Sequence, residues 1–221
     1  YLKTTKTPVI WTLHDCWAFT GHCAYFDDIA CDRWETGCFD CSQKREYPAS
    51  LFVDGSRRNY ERKKRAFTSL ENMVIVTPSD WLARLVRRSF LSEYPTRVIS
   101  NGVDTNVFRP RESSFRRKHN LETKYLIVGV ASVWDRRKGH NVFMELSKEI
   151  GEDEMIVMVG LTPEQISDLP KGVLGIPRTN SIEELAQIYS TADVFLNPTL
   201  EDNFPTTNLE ALASGVPVIT F

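Results

Sequence analysis

The sequence lacks the features that mark several classes of protein. None of its apolar runs approaches the roughly 18 residues that a membrane-spanning helix needs, and no charged-then-apolar secretory signal opens it. Acidic and basic residues nearly balance at a net charge of −2, so no strong field favours nucleic acid, and we expect no nucleic-acid partner. With 42% apolar and 25% charged residues and no internal repeat, the composition is that of a folded globular protein.

The two ends of the sequence also lack expected features. It begins at Tyr1 rather than at methionine, and it stops at Phe221 directly after the apolar run Val216–Phe221. We therefore interpret it as a fragment of a longer protein, cut at both ends. Its 221 residues allow one large domain or two of about 100–150 residues each.

Cysteine is absent from the 180 residues between Ser42 and Phe221, because all five cysteines lie within 26 residues. A secreted disulfide scaffold is short and rich in cysteine throughout, so this clustering favours a metal site in a reducing compartment. Four of the cysteines have the spacing C-x7-C-x6-C-x2-C, which suits a closed tetrahedral zinc site. The expected ligands are Cys23, Cys31, Cys38 and Cys41.

Two alternatives to this zinc site stay open. In the first, the four cysteines are ordinary reduced thiols. In the second, which applies to an exported protein, they form two disulfides. His22 could also replace one cysteine as a ligand, whereas Cys16 is left out of the expected set.

Short apolar runs alternate with helical periodicity along most of the chain. This alternation predicts parallel sheets covered on both faces, so the fold class is α/β, and ligands bind beyond the carboxyl ends of such strands. The predicted strands are Val9–Leu13, Asn72–Val76, Arg97–Ile99, Tyr125–Ala131, Met155–Val159, Asp193–Asn197 and Val216–Thr220.

Helices are expected between these strands. The predicted helices are residues 57–70, a helix with Ser79 as its N-cap, Gly139–Ile150, Ser181–Ser190 with a capping box from Ser181 to Glu184, and Thr207–Ser214.

Two irregular regions divide the chain. Residues 16–56 form one long loop that is rich in cysteine. A loop of this length is expected to be functional or to be fixed by a cross-link. Residues 104–122 carry a charged run with little apolar periodicity. We place a domain junction there, which gives a first domain of residues 1–106 and a second of residues 107–221.

The first loop with reactive groups in the second domain is Ser132–Gly139. It places Arg136, Arg137 and Lys138 just before a helix, where cations and free backbone N–H groups suit a phosphate or diphosphate. The alternative is a solvated basic turn.

The second such loop is Pro198–Glu210, with Glu201 and Asp202 at a strand end and Glu210 in the following helix. Carboxylates there suit the hydroxyls of a sugar or ribose. The alternative for Glu210 is a capping box with Thr207, which needs no ligand.

The stretch EDNFPTTNLEALASGVPVI resembles the signature of retaining glycosyltransferases of family 4, which have the GT-B fold. That signature has two acids with seven residues between them. The count back from Glu210 gives Asp202, an aspartate in place of the usual glutamate, unless Glu201 takes this role through a small loop shift. The resemblance implies that the first acid contacts the donor sugar, that Glu210 contacts the ribose, and that backbone groups of residues 203–206 contact phosphate, although Pro205 has no N–H.

Three other stretches agree with this resemblance. RVISNGVDTNVF resembles the family's segment before the interdomain crossover, and Lys138-Gly139 resembles its K-G pair, whose lysine binds the donor diphosphate. The usual arginine position is Val133, so Arg137 or Arg136 must substitute. Thr12–Asp15 resembles the family's T-x-H-D, whose histidine, here His14, faces the donor sugar.

The resemblance implies a GT-B fold with two Rossmann-like parallel-sheet domains, both incomplete in this chain. It also implies a cytoplasmic enzyme of surface polysaccharide synthesis, hexosyltransferase-like, that moves a sugar with retention from a UDP-, GDP- or ADP-linked donor to a saccharide or lipid-linked acceptor. No catalytic metal is expected, and the four cysteines resemble those of a subgroup of the family. The expected catalytic residues are His14 and Asp202, and the expected donor-binding residues are Arg136, Arg137, Lys138, Asn203, Phe204, Thr206, Thr207 and Glu210.

Two other functions remain open from the sequence. One is a GT-B sugar-nucleotide epimerase or a phosphorylase. The other is a zinc-stapled module that binds RNA or a lipid head group through the basic segment Arg57–Arg65, which has six cations and one acid. In a transferase the same segment predicts peripheral contact with the inner face of the membrane, and its alternative is a solvated helix face.

Overall fold

The computed structural model describes residues 2–50 and 53–221, which form two compact units. The first unit comprises Tyr1–Asn101 together with Glu201–Phe204, and the second comprises Gly102–Leu200 and Pro205–Phe221. The division between them falls a few residues before the predicted junction at residues 106 and 107, and the segment Glu201–Phe204 groups with the first unit, which the sequence did not predict.

The first unit has a three-stranded parallel sheet with the order β1-β2-β3. The predicted strands are present, with bounds that differ by at most one residue. The elements are α1 (Leu2–Thr5), β1 (Val9–Thr12), α2 (Ser56–Phe67), β2 (Met73–Thr77), α3 (Asp80–Arg88) and β3 (Thr96–Val98).

Strand β1 differs from its prediction as a buried strand. It alternates between half-buried and exposed residues, and Ile10 is 75% exposed. Strand β1 is an edge strand of the described sheet, and its alternating burial shows that one of its faces is not covered. The N-cap of α3 is confirmed, because the hydroxyl of Ser79 accepts from the backbone N–H of Leu82 at 3.2 Å.

The long loop that follows β1 contains, in its described part, only two short 3₁₀ turns, Trp17–Phe19 and Arg33–Glu35. Its aromatic side chains nevertheless join the core of the unit. Trp34 is buried and stacks on Phe26 with ring centroids 5.0 Å apart. The loop is thus packed against the sheet and α3 rather than extended into solvent.

The second unit has a five-stranded parallel sheet with the order β6-β5-β4-β7-β8. Three of its strands, β4, β5 and β7, are largely buried, as their near-continuous apolar sequences predict. The elements are α4 (Phe115–Lys118), β4 (Tyr125–Val130), α5 (His140–Leu146), β5 (Glu154–Val159), α6 (Pro163–Ser167), β6 (Val173–Ile176), α7 (Ile182–Tyr189), β7 (Val194–Asn197), α8 (Thr206–Ala213) and β8 (Val218–Thr220).

The order of these strands creates a switch point. From β4 the chain passes to β5 and then β6 on one side, and it returns to β7 and β8 on the other side. In sheets with such an order, ligands usually bind outside the carboxyl ends of the two strands at the switch point, here β4 and β7.

Three short elements of this unit were not predicted, namely α4, α6 and β6. Strand β6 is only half-buried along its length and contains Gly175, so its apolar signal is weak. The predicted capping box of α7 is half right: Ser181 accepts from the backbone of Glu184, but the Glu184 carboxylate accepts from the N–H of Asn180 at 2.8 Å. A complete capping box joins Thr162 and Gln165 at the start of α6.

The charged run near the predicted junction has a structural role inside the second unit. The guanidinium of Arg116 donates to the carboxylate of Asp193 at 2.6 Å and to the carbonyl of Thr191 at 2.7 Å. Asp193 also accepts from the backbone of Leu126 at 2.7 Å, so this network ties the beginnings of β4 and β7 together. Within residues 2–50 and 53–221, no helix combines the length and the apolar character that a bilayer span requires.

Candidate active site

The two loops with reactive groups in the second unit contact each other beyond the sheet. They follow the adjacent strands β4 and β7, which pair through Ile127 and Val194. The backbone N–H of Leu200 donates to the carbonyl of Arg137 at 3.0 Å. The Arg137 turn and the first residues after β7 thus contact each other directly, which the sequence did not predict.

The basic turn has a defined conformation. Trp134 is buried and donates its indole N–H to the carbonyl of Val159 at 2.9 Å, which anchors the turn to β5. The carboxylate of Asp135 accepts from the backbone N–H of Lys138 at 2.8 Å. Arg137 and Lys138 are half-buried while Arg136 is exposed, which favours Arg137 over Arg136 as the partner of Lys138.

Gly139 lies in close contact with Pro198 of the second loop. Its φ is +76°, and a Cβ at this position would lie 2.5 Å from Cγ and 2.7 Å from the carbonyl oxygen of Pro198. Only glycine adopts this conformation and fits this space without strain.

We expect Gly139→Ala to lower the free energy of unfolding by about 1–3 kcal/mol, the cost of a left-handed backbone in a residue with a side chain, and to weaken nucleotide binding because the loops separate. Urea unfolding and a UDP titration measure the two effects. Gly102→Ala is the matched control, since nothing lies within 4 Å of its added Cβ. Equal behaviour of both variants would contradict the packing role of Gly139.

Glu210 is held by a tyrosine rather than by a capping box. Helix α8 begins at Thr206 with Pro205 at its N-cap and no side-chain cap, so the predicted box with Thr207 is wrong. Instead, the hydroxyl of Tyr189 donates to Oε2 of Glu210 at 2.9 Å. Burial raises the pKa of Glu210, and this hydrogen bond partly offsets the rise.

A second polar connection fixes the start of α8 relative to β7. The side-chain amide of Asn197 donates to Asn208 at 2.8 Å, and the hydroxyl of Thr199 donates to Asn197 at 2.6 Å. Asn197 and Thr199 are both buried. The sequence carried a weak signal for this connection, because an asparagine that ends a buried strand needs a polar partner.

Of the predicted site residues, the first unit contains His14, Asp202, Asn203 and Phe204. His14 is exposed, directly after Leu13, whose backbone N–H donates to Val76 at 2.8 Å. The side-chain amide of Asn203 donates to the carbonyl of His14 at 3.1 Å and its oxygen accepts from the hydroxyl of Ser79. Asn203, predicted for a backbone phosphate contact, thus uses its side chain to join the end of β1 to the start of α3.

The two neighbouring acids have different contacts. Oε1 of Glu201 accepts from the backbone N–H of Asp28 at 3.0 Å, in the cysteine-rich loop. Oδ1 of Asp202 accepts from the N–H of Asn203 at 2.8 Å, and the carbonyl of Phe204 accepts from Asn101 at 3.0 Å. Glu201 therefore bridges two segments of this unit, and one bond of Asp202 lies within its own loop.

All five cysteines are reduced, so the predicted alternative of two disulfides is absent from the structure. Burial, with the neighbouring thiols as a smaller cause, raises the pKa of Cys23 to about 12. Burial also raises the pKa of Cys38 to about 11, while a hydrogen bond from Gly21 opposes the rise. In the part of the chain that the structure describes, no three His, Cys, Asp or Glu side chains stand close enough to enclose a metal ion without moving.

Comparison with known proteins finds that this chain is similar to glycosyltransferases. Residues 124–221 match the family described as glycosyl transferases group 1. A protein of Escherichia coli K12 named as a colanic acid biosynthesis glycosyl transferase, WcaC, is 25% identical over 215 residues, which are 96% of this chain and 51% of that protein. The O-antigen biosynthesis glycosyltransferase WclY of Escherichia coli is 26% identical over 59% of this chain and 38% of its own length.

Among solved structures, Anabaena HepE in complex with UDP superposes with a TM-score of 0.67 over 99% of this chain and 54% of that one, at 16% identity. The chain thus spans about half the length, or less, of the relatives it matches. Both units have the parallel sheets of a GT-B protein. Residues 124–221 therefore match the glycosyl transferases group 1 family, and the chain has the GT-B fold.

Proposed function

We propose that this chain belongs to an enzyme that transfers a hexosyl unit, with retention, from a nucleotide-diphosphate sugar to a saccharide or lipid-linked acceptor in polysaccharide synthesis. The observation that carries the proposal is the contact between the Arg137 turn and Leu200 at the switch point. This contact puts the basic turn beside the loop that leads to Glu210. The family match over residues 124–221 favours this function over an RNA- or lipid-binding module.

The donor is bound, in this proposal, by groups of the second unit. Lys138 and Arg137 take the diphosphate, and they neutralise the leaving group in the role that a catalytic metal has in other transferases. The carboxylate of Glu210, fixed on one oxygen by Tyr189, accepts from the ribose hydroxyls. Thr206 and Thr207 at the start of α8 add hydroxyl and N–H donors for phosphate.

The sugar is bound, in this proposal, by Asp202, with His14 as a further polar contact. Asp202 is the first candidate because seven residues separate it from Glu210, and Glu201 is the alternative. UDP is the first nucleotide to test, since Anabaena HepE is described in complex with UDP and with UDP-glucose.

The acceptor side includes the basic helix α2. Five of its cations are exposed, whereas Lys63 is buried and bonds the carbonyls of Trp17 and Thr20. We propose that the exposed cations contact an anionic membrane at its cytoplasmic face, with about 1 kcal/mol from each. They are Arg57, Arg58, Arg62, Lys64 and Arg65.

The test is a set of titrations and transfer assays on the whole protein. UDP, GDP and ADP are compared first, and then the sugar-bearing form of the nucleotide that binds. We expect Asp202→Ala to spare the nucleoside diphosphate and to weaken only the sugar-bearing donor and turnover, while Glu201→Ala affects the donor less. Nuclear magnetic resonance of the product reports whether the anomeric configuration is retained. Donor-specific loss in Glu201→Ala instead would move the role to that residue, and no nucleotide binding at all would refute the proposal.

A further inference from the structure

A small cavity lies inside the cysteine-rich loop of the first unit. Its volume is about 20 Å³, which is room for a single water-sized occupant. Four cysteines line it together with His22. These are Cys23, Cys31, Cys38 and Cys41, whereas Cys16 is buried elsewhere in the core.

The polar groups around the cavity are arranged to contact a ligand that the neighbouring side chains do not provide. Nε2 of His22 is buried and has no hydrogen-bond partner among residues 2–50 and 53–221, and a buried polar atom in that state is costly. The backbone N–H of Gly21 donates to Sγ of Cys38 at 3.1 Å. This approach requires glycine, since an added Cβ would lie 2.5 Å from Cβ of Cys38 and 2.3 Å from the carbonyl of Ser56.

A buried cation stands next to the same loop. Nζ of Lys63 donates to the carbonyl of Trp17 at 2.6 Å and to that of Thr20 at 3.0 Å, and it lies 3.4 Å from the centre of the Trp17 ring. A cation and an N–H donor beside a group of thiols are the partners that stabilise a negatively charged metal–thiolate centre. The loop itself has little regular structure to hold it, so a cross-link would add much to its order.

We propose that this cavity is a structural zinc site in which Cys23, Cys31, Cys38 and Cys41 are the four ligands. On binding, each thiol releases one proton to solvent, and four Zn–S bonds form without any oxidation or reduction. The sulfur atoms do not enclose an ion as they stand, so binding must draw them inward. His22 then lies beside the centre and gains a thiolate as a neighbour.

The zinc ion would cross-link the cysteine-rich loop. This loop also contacts Pro198–Glu210, the loop that is proposed to bind the donor. The backbone N–H of Asp28, which donates to Glu201, lies between the ligands Cys23 and Cys31. The proposal does not depend on transferase activity, because metal content is measured without any donor or acceptor.

The first experiment is elemental analysis of the whole protein, purified under reducing conditions without added metal. We expect about one zinc ion per chain, and after chelation we expect cobalt to give the visible absorption of a tetrahedral thiolate centre. Zinc far below one equivalent together with no cobalt spectrum would overturn the proposal, as would bound iron with inorganic sulfide or a disulfide between any two of the four cysteines.

Variants identify the ligands. Cys31→Ser, at a half-buried position, should lose the zinc, while the matched control Cys16→Ala should keep it, because Cys16 does not line the cavity. His22→Ala should also keep one equivalent. Loss of zinc in His22→Ala, or its full retention in Cys31→Ser, would overturn the four-thiolate site. The cobalt spectrum of the unmodified protein tests the proposal even if a variant fails to fold.

Discussion

Replacing Lys138 by alanine is expected to weaken the binding of a nucleoside diphosphate about 10- to 150-fold, which corresponds to about 1.5–3 kcal/mol for a hydrogen bond to a charged group. Lys138 is half-buried on a turn fixed by Asp135 and Trp134, so its ammonium group loses little conformational freedom when it meets a diphosphate. Isothermal titration calorimetry with UDP on the whole protein measures the change.

The neighbouring arginines test how the turn is used. Arg137→Ala should have a similar effect and Arg136→Ala a smaller one, because only Arg137 is half-buried. Lys171→Ala is the control for loss of an exposed lysine of the same unit. If Arg136→Ala weakens binding more than Arg137→Ala, the diphosphate approaches from the exposed side of the turn. Unchanged affinity in Lys138→Ala would argue against a diphosphate at this turn.

Glu210→Ala is expected to weaken UDP and UDP-sugar alike, by about 10- to 150-fold, because the ribose is common to both ligands. It should also lower the free energy of unfolding by about 1–3 kcal/mol, since the buried hydroxyl of Tyr189 loses its acceptor. Paired titrations and melting curves separate the two effects. Glu210→Gln keeps an acceptor for Tyr189, and Glu183→Ala removes an exposed acid from α7 as a control. Unchanged affinity per folded molecule in Glu210→Ala would leave Glu210 with a structural role only.

The pH dependence of the same residue follows from its burial. Because burial raises the pKa of Glu210, the folded protein retains a proton in a pH range where the unfolded chain has released it. The contribution of Glu210 to stability is therefore full below its usual pKa and is lost as the pH rises through the raised pKa. Over the same range the carboxylate forms, so affinity for ribose should increase. Glu210→Gln should remove both changes, and their persistence would point to another group.

Much of the fold was accessible from the sequence because its signals are local. Long apolar runs at β4, β5 and β7 identify strands that are covered on both faces, and the N-cap at Ser79 needs only neighbouring residues. Two predictions about strands failed for different reasons. Strand β1 is not fully buried because it is an edge strand. Strand β6 was not predicted because its apolar pattern is weak.

The candidate site also has features that the sequence predicts and features that it does not. The basic turn and the acidic residues have motifs that place them at strand ends, whereas the contact between Tyr189 and Glu210 joins two helices and has no local pattern. The bonds of Asn203 to His14 and Ser79 join segments far apart in sequence. Contacts of this kind depend on the tertiary fold, so spacing along the chain does not reveal them.

The strand order of the second unit also bears on when its crevice forms during folding. Strands β4, β5 and β6 are sequential neighbours and pair with shorter loop closures, whereas the pairing of β7 with β4, through Ile127–Val194 and Val128–Phe195, joins segments much further apart in sequence. Long closures are slow, so β7 and β8 should dock last. A growing chain would then bring the carboxyl ends of β4 and β7 together only after β7 has been synthesised. Capture of a nucleotide would consequently serve as a reporter of completed folding, and a refolding experiment should show ligand binding lagging behind the gain of secondary structure.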